Sequence, residues 1–528
     1  MTPRTSDDRQ TPTSAEDTIT QHLDTAETLA DGGGPGPAAP GAVRPVDRIG
    51  RAASVVVPAV AALVSGLWGI GRQDSMWRDE SVTYQVAHRS LGDLWGLLHH
   101  IDAVHGLYYL LMRAVFVVWD GGPVALRLPS VLASVLAAAG VGAIGARIAG
   151  PRSGTLAGLV FALLPVTQMY AQEGRSYALV TAGVIWATYF FVRATDAPGT
   201  RARWWTAYGL TLALACWLHE FAALAPLAHG LTLWWSRVPR PVWRGWAITG
   251  VCVAVSVLPL AVASAGQAEA QLGWLGRPSA GMWLQFLAIS AAGALLCRFP
   301  GRRGSAQATV LARLALPLLI APTGLLMAIS LVKPWYVDRY VLYTMAGLAL
   351  PAGAALSRAI GLRHRLAPAA RALTAGLSVA VAVAVLLPWS LLVRSPESRK
   401  DDVVAVASTV ERAAREGDGV LFMPSRRREW LLSYRKVYGR LDDLALAASP
   451  AASRTLQGTE LPAAEIRRHI LASDRVIALM DPPGQPLDPF SQEEVKRKTL
   501  RTSFEVCERI PVQGAQVVVY ARPGHCMP

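Results

Sequence analysis

Apolar residues in this chain come in runs of about 15 to 25 positions, and the polar positions separating them are dominated by arginine. A run of about 20 mostly apolar residues can cross a bilayer as a helix. The pattern therefore predicts a mainly α, polytopic membrane protein. Eleven spans are expected, at about 53–71, 128–149, 153–170, 176–194, 204–218, 220–236, 244–265, 281–297, 308–332, 341–357 and 372–393. The run VHGLYYLLMRAVFVVW (104–119) is shorter and carries Arg113, which predicts a helix lying in the membrane plane.

Arginine-dense short loops mark the cytoplasmic side. With 104–119 in the plane, Arg48 and Arg51, Arg147 and Arg152, Arg193 to Arg203, Arg237 to Arg244, Arg298 to Arg313 and Arg358 to Arg371 all fall on that side. If 104–119 crossed, every later loop would invert and the rule would fail repeatedly. The first 48 residues, rich in Asp, Thr, Pro and Gly, read as a disordered cytoplasmic tail. The first apolar run then acts as an uncleaved signal anchor, and 49–396 forms the membrane part. From about 397 the pattern changes to short β-rich runs (GVLFMP, RVIALMD, QVVVYAR) between charged helical stretches, which predicts a small extracytoplasmic α/β domain over 397–528. It has no phosphate-binding glycine loop and no nucleophile elbow, so its expected role is packing over the external face or acceptor recognition.

Composition agrees with the pattern. Hydrophobic residues make up 52% of the chain and charged residues 17%, against about 25% charged in soluble domains. The net charge of +14 is nearly all arginine at the ends of apolar runs, a topology signal. Nucleic-acid binding is excluded, because no basic stretch has interleaved aromatics. Cys216, Cys252 and Cys297 lie in apolar runs as small core residues. Cys507 and Cys526 are free to pair if their region is extracytoplasmic.

This topology gathers the unusual polar residues on the external face, near span ends. Asp79 and Glu80 lie in MWRDESVTY; Asp102 and His105 follow; Glu173, Arg175 and Tyr177 lie in QEGRSY; Lys333, Arg339 and Tyr340 lie in KPWYVDRY. Ionisable groups at membrane depth cost about 2.5–3.5 kcal/mol on insertion scales, so they usually pair or line a cavity. Each also has a bland reading: Asp79 and Glu80 as solvated loop acids beside Arg78, Glu173 and Arg175 as a local ion pair, Arg339 as a snorkelling span-end anchor. His219-Glu220, in a tight turn between apolar runs, reads as structural. What favours a site is the convergence of distant segments on one face.

Five of these segments, WRDE, DAVHGLYY, ALRLPS, YAQEGRSYAL and YVDRY, together resemble the GT-C membrane glycosyltransferases. Within them the similarity is to glycosyltransferase family 39, the protein O-mannosyltransferase and aminoarabinose-transferase group, over about 53–395. The resemblance implies an inverting transferase that moves a sugar, mannose being one candidate, from a polyprenyl-phosphate donor to an acceptor hydroxyl. The acceptor, a glycan, protein or lipid, is not specified. It implies Asp79 as general base, with burial expected to raise its pKa toward working pH, and Glu80 beside it. Arg175, Arg339 and Lys333 would hold the donor phosphate, because guanidinium groups fork onto phosphate oxygens. Asp102, His105, Glu173, Tyr177 and Tyr340 would bind substrate. His105 is followed by Gly106-Leu107 where the family has prolines.

Some members use a divalent cation held by carboxylates. Here Asp79, Asp102 and His105 could supply ligands, but neither external loop has an Asp-X-Asp pair. No other cofactor is expected. Two rival readings are a transporter or flippase of lipid-linked sugars and a non-catalytic envelope scaffold. A transporter should carry polar or broken spans near the midplane and repeated halves, neither of which is seen in the sequence.

Overall fold

The computed structural model describes residues 45–196, 201–273, 275–298 and 306–526. The tail expected over 1–48 lies outside them as far as residue 44, and Pro45 already begins the first helix, α1 (Pro45–Leu67). Three short helices follow, α2 (Arg78–Ala87), α3 (Leu91–Leu98) and α4 (Gly106–Val118). The membrane part continues with α5 (Gly122–Ala149), α6 (Pro151–Leu163), α7 (Pro165–Ala171), α8 (Tyr177–Asp196) and α9 (Arg201–Leu218). It ends with α10 (Ala225–Ser236), α11 (Arg240–Leu272), α12 (Ala280–Arg298), α13 (Ala306–Ile329), α14 (Met345–Arg363) and α15 (Pro368–Val393).

Among the described residues, eight helical segments are long and apolar enough to cross a membrane: α1, α5, α8, α11, α12, α13, α14 with the turn before it, and α15. The α6–α7 pair adds a ninth if its 65° bend interrupts a single span. Pro165 explains the bend, since it has no N–H to donate and pushes Leu164 out of the helical region to ψ 132°. The two other expected spans come out differently. Residues 204–218 belong to α9, which opens on RARWW, and 220–236 form a 3-10 turn followed by the 12-residue α10. Segment 104–119 is the 13-residue α4, shorter than a bilayer requires.

Small residues let these helices approach closely. Gly142 of α5 lies against the Ser54 carbonyl of α1, and Gly353 of α14 against the Ala157 backbone of α6. A Cβ at either glycine would collide. Conversely, α12 and α15 present most of their apolar side chains outward, including Leu284, Leu287, Leu373 and Val379, as a lipid-facing surface does.

The C-terminal region contains α16 (Val403–Ala413), β1 (Gly419–Met423), α17 (Arg428–Leu432), α18 (Arg435–Tyr438), β2 (Asp442–Asp443), β3 (Leu446–Ala448) and β4 (Thr459–Glu460). It closes with α19 (Ala463–Ala472), β5 (Arg475–Met480), α20 (Ser491–Ser503), β6 (Glu505–Val512) and β7 (Ala515–Ala521). A five-stranded sheet has the order β2-β1-β5-β7-β6, with β1 parallel to β2 and β5, and β7 antiparallel to β5 and β6. Both β1 and β7 are buried along their whole length, as central strands covered on two faces should be. Alternation sends Val420 and Phe422 toward α16 and α17, and Leu421 and Met423 toward α19 and α20. Cys507 and Cys526 form a disulfide.

From Ile49 onward the chain clusters as one compact unit, and helix α2 shows why. Its leading backbone is held from the C-terminal region: Val403 N–H donates to Met76 O (2.7 Å) and Arg78 N–H to Asp401 Oδ1 (2.7 Å). Ser81 and Ser433 share a hydroxyl hydrogen bond of 2.6 Å, and Arg89 donates to Thr455 O at 2.9 Å. The helix with the two acids is therefore clamped by chain more than 300 residues distant.

Candidate functional site

Consecutive helical residues point about 100° apart, so Asp79 and Glu80 cannot serve the same site. Glu80 turns inward and has no exposed surface. Its Oε1 accepts from Arg127 Nε (2.8 Å) and from Gly174 N–H (3.0 Å); Oε2 accepts from Arg127 Nη2 (2.7 Å) and Arg72 Nη1 (3.2 Å). Burial alone would raise its pKa, but Arg127 and Arg72 hold the carboxyl well below the usual carboxylate range. Burial lowers Arg72 to about 9 despite the neighbouring Glu80 carboxylate. The placement expected for Glu80 in the site is corrected: it does not line the cavity that Asp79 faces, and with a further, longer contact from Trp77 N–H (3.5 Å) it belongs to a buried knot that ties α2 to the turn after α1, to α5 and to the loop before α8.

Asp79 faces the other way, into a cavity of about 540 Å³. Its carboxylate lies 3.5 Å from Arg339 and 3.8 Å from Arg175. These are ion-pair distances too long for good hydrogen bonds. Burial pushes the Asp79 pKa upward, yet Arg175, Arg339 and Arg78 outweigh it and hold the group below its ordinary value. This reverses the expected raised pKa, because convergent guanidinium charge exceeds desolvation here.

Arg175 is buried and sits in a relay in which its Nη1 donates to Tyr109 Oη (3.3 Å) and Tyr109 donates to Asp102 (2.7 Å). Its Nε has no partner. Arg339 donates from Nε to Tyr177 Oη at 3.1 Å and lies over the rings of Trp77, Tyr177 and Tyr340. Asp102 occupies a left-handed backbone conformation, φ 62°, uncommon for a residue other than glycine and frequent at functional sites. Asp102, His105, Tyr177 and Tyr340 all line the cavity, as expected.

Two expected residues do not. Lys333 is exposed and stands 5.6 Å from the Trp335 ring, away from the cavity, so it is not placed to hold a phosphate there. Glu173 is buried behind the site, 3.5 Å from Arg399, with neither carboxylate oxygen hydrogen-bonded. Burial pushes its pKa up to about 7, against the opposing pull of Arg399 and Arg339. A substrate-binding role for Glu173 is thus corrected to a position behind the wall.

Four lining residues were read otherwise or missed. His219 and Glu220, taken as structural, face the cavity, as do Arg78 and Arg426. Arg426 comes from the C-terminal region, to which no chemistry was assigned. It pairs with Asp481 at 2.9 Å, and only the RRRE cluster (426–429) could have drawn attention to it. Arg127, the main partner of Glu80, was legible as a charge inside the apolar run ALRLPS.

Among the described residues no group of three or more His, Cys, Asp or Glu side chains is arranged to hold a metal ion. Asp79, Asp102 and His105 therefore do not fit the divalent-cation site considered for them. A second groove, about 550 Å³, runs along the other side of α2 beside Tyr84, His88, Asp120 and Tyr434. Its cations, Arg435 and Lys436, are exposed, and it lacks a buried cation facing a carboxylate.

Comparison with known proteins places this geometry in context. The family model described as dolichyl-phosphate-mannose-protein mannosyltransferase matches residues 107–263. No curated protein matches the chain by sequence. The fold is similar to that of ArnT from Cupriavidus metallidurans in the apo state, with a TM-score of 0.59 and 13% identity over 88% of this chain and 97% of ArnT. The same protein bound to undecaprenyl phosphate gives a TM-score of 0.52 and 14% identity, over 90% of this chain and 99% of ArnT. The resemblance to GT-C glycosyltransferases drawn from the five motifs is borne out by this match and by the fold.

Proposed function

We propose that the protein is an inverting membrane glycosyltransferase that takes a sugar from a polyprenyl-phosphate donor and places it on an acceptor hydroxyl outside the cytoplasmic membrane. The observation that carries this reading is the cavity in which one carboxylate, Asp79, faces two arginines without a hydrogen bond to either. Arg175 and Arg339 take the donor phosphate, with which they make charge-assisted hydrogen bonds stronger than their loose contacts to Asp79. Engaging the phosphate draws the guanidinium groups off Asp79, and the phosphate's own charge raises the basicity of the carboxylate.

Asp79 then accepts the acceptor's hydroxyl proton as the oxygen bonds to the anomeric carbon. The bond from that carbon to the phosphate oxygen breaks on the opposite side, and polyprenyl phosphate leaves with the electron pair on its oxygen. A mainly apolar groove lined by Phe286, Leu319, Leu342 and Met345, with Asp338 and Tyr336 also in its wall, would take part of the polyprenyl chain. ArnT, whose fold this chain shares, has been solved with undecaprenyl phosphate bound, which supports the donor class. Mannose is the first sugar to try, given the matched family's description.

The test is transfer of radiolabelled sugar from undecaprenyl-phosphate-linked hexoses and pentoses to envelope acceptors, using the full chain in proteoliposomes. Label should appear on an acceptor; none from any donor would overturn the reading. Sidedness is tested with single cysteines in a background lacking Cys216, Cys252 and Cys297. Replacing Gln485 should give external labelling and replacing Arg365 internal labelling, and the reverse pattern would overturn the orientation.

A further inference from the structure

His105 and His219 come from separate loops, one at the start of α4 and one after α9, yet their rings lie 5.8 Å apart on the cavity wall. Both are more than nine-tenths buried. Among the described residues, the Nδ1 atom of each is buried without a hydrogen-bond partner. Nε2 is thus left as the atom that meets the cavity contents. Such unsatisfied, buried polar groups are uncommon and call for an explanation.

Their setting distinguishes them from the arginines beside them. Burial lowers the pKa of both rings, and the nearby charge of Arg175 and Arg339 lowers it further. At Nε2 a neutral imidazole can either donate to or accept from a hydroxyl group, depending on its tautomer, and it adds no charge beside the arginines. Two carboxylates share this part of the wall: Asp102, held by Tyr109, and Glu220, held by the Ser264 hydroxyl. Aromatic rings complete it, with Tyr340 4.4 Å and Tyr177 5.9 Å from the His219 ring centroid. The two histidines thus stand beside the arginines on one wall, with Tyr177 and Tyr340 touching both His219 and Arg339.

We infer that His105 and His219, with Asp102 and Glu220, form the subsite for the donor's sugar ring, hydrogen-bonding its hydroxyls while Arg175 and Arg339 hold the phosphate. This rests on the donor reading above. It commits to the donor sugar because that ring is bonded directly to the phosphate, and the histidines are the neutral polar groups bordering the phosphate-holding arginines.

The experiment measures displacement of labelled undecaprenyl phosphate from the full chain in nanodiscs by unlabelled undecaprenyl phosphate and by its hexose- and pentose-linked forms. Wild type should bind at least one sugar-linked form more tightly than the bare lipid phosphate. His219→Ala and His105→Ala should each reduce that preference about tenfold, the size of a lost hydrogen bond or two. Affinity for bare undecaprenyl phosphate should stay within about twofold. His219→Asn, which keeps an amide donor and acceptor, should retain part of the preference and serves as the reading if the alanine variant does not fold.

An unchanged preference in these variants overturns the subsite, as does equal weakening of both ligand classes or a wild type that prefers no sugar-linked form. The donor reading fails separately, if bare undecaprenyl phosphate does not bind or if Arg339→Ala leaves its binding unaltered.

Discussion

Asp79 and Glu80 adjoin each other on one short helix, and each is approached by two arginines. Around Glu80 the contacts to Arg127 and Arg72 run from 2.7 to 3.2 Å and the carboxylate has no exposed surface. Around Asp79 the ion pairs are 3.5 and 3.8 Å, no hydrogen bond reaches the carboxylate among the described residues, and 24% of its side chain is accessible. The same residue types thus build a closed structural knot on one side of α2 and an open, loosely paired cluster at the cavity on the other. A buried charge is tolerable when its hydrogen-bonding capacity is filled. One left with loose partners at a cavity can exchange them for a ligand. Counting charges does not separate these cases; distances and access do.

The largest contrast should come from neutralising each acid. Asp79→Asn should lower transfer by about 10²- to 10⁴-fold, the usual worth of a general base, with thermal stability close to wild type. Glu80→Gln should leave turnover per folded molecule near wild type while lowering stability. If Glu80→Gln removed turnover from a well-folded protein, the division between the two clusters would be wrong.

Next in size is the arginine side of the comparison. Arg127→Ala leaves Glu80 buried without its main partner, and should destabilise by about 3–5 kcal/mol, read as lost thermal stability and yield in detergent. Arg339→Ala should cost little stability, because Arg339 touches the cavity, and should instead raise KM for the lipid donor.

The smallest effect concerns Glu173, which stands behind both clusters. Its folded-state pKa of about 7 lies above the unfolded value near 4.5, so the folded protein binds the proton more tightly. Stability should therefore be full at low pH within that window and fall as pH rises from about 4.5 through about 7, on the order of 3 kcal/mol in all. Glu173→Gln should flatten that decline in a series of melting temperatures. Parallel wild-type and variant curves would show that Glu173 does not titrate there.

Much of the membrane part was legible without coordinates. Spans at α1, α5, α8 and α11 to α15 follow from apolar length, and the short α4 was correctly separated from them. The differences are local. Residues 204–218 and 220–236 are helical as expected, but RARWW and the break at His219-Glu220 shorten their apolar length below that of the eight long apolar helices. In the site, Asp79, Arg175, Arg339, Asp102, His105, Tyr177 and Tyr340 were found from their placement near span ends. Lys333 and Glu173 satisfied the same criterion and still miss the cavity, since being near a span end does not say which way a side chain points. Arg426 was missed because expecting the C-terminal region to pack over the external face does not say which of its side chains reaches the cavity.

By itself the sequence determined that this is a polytopic helical membrane protein with acids and arginines gathered at span ends. The reason is that a bilayer reads apolar length and flanking charge locally, one segment at a time. Only the tertiary structure decided that Glu80 is locked and Asp79 is free, that His105 meets His219, and that Asp401 and Ser433 hold the helix between them. Those outcomes depend on the rotational phase of α2 and on contacts between segments far apart in the chain, which local composition does not encode.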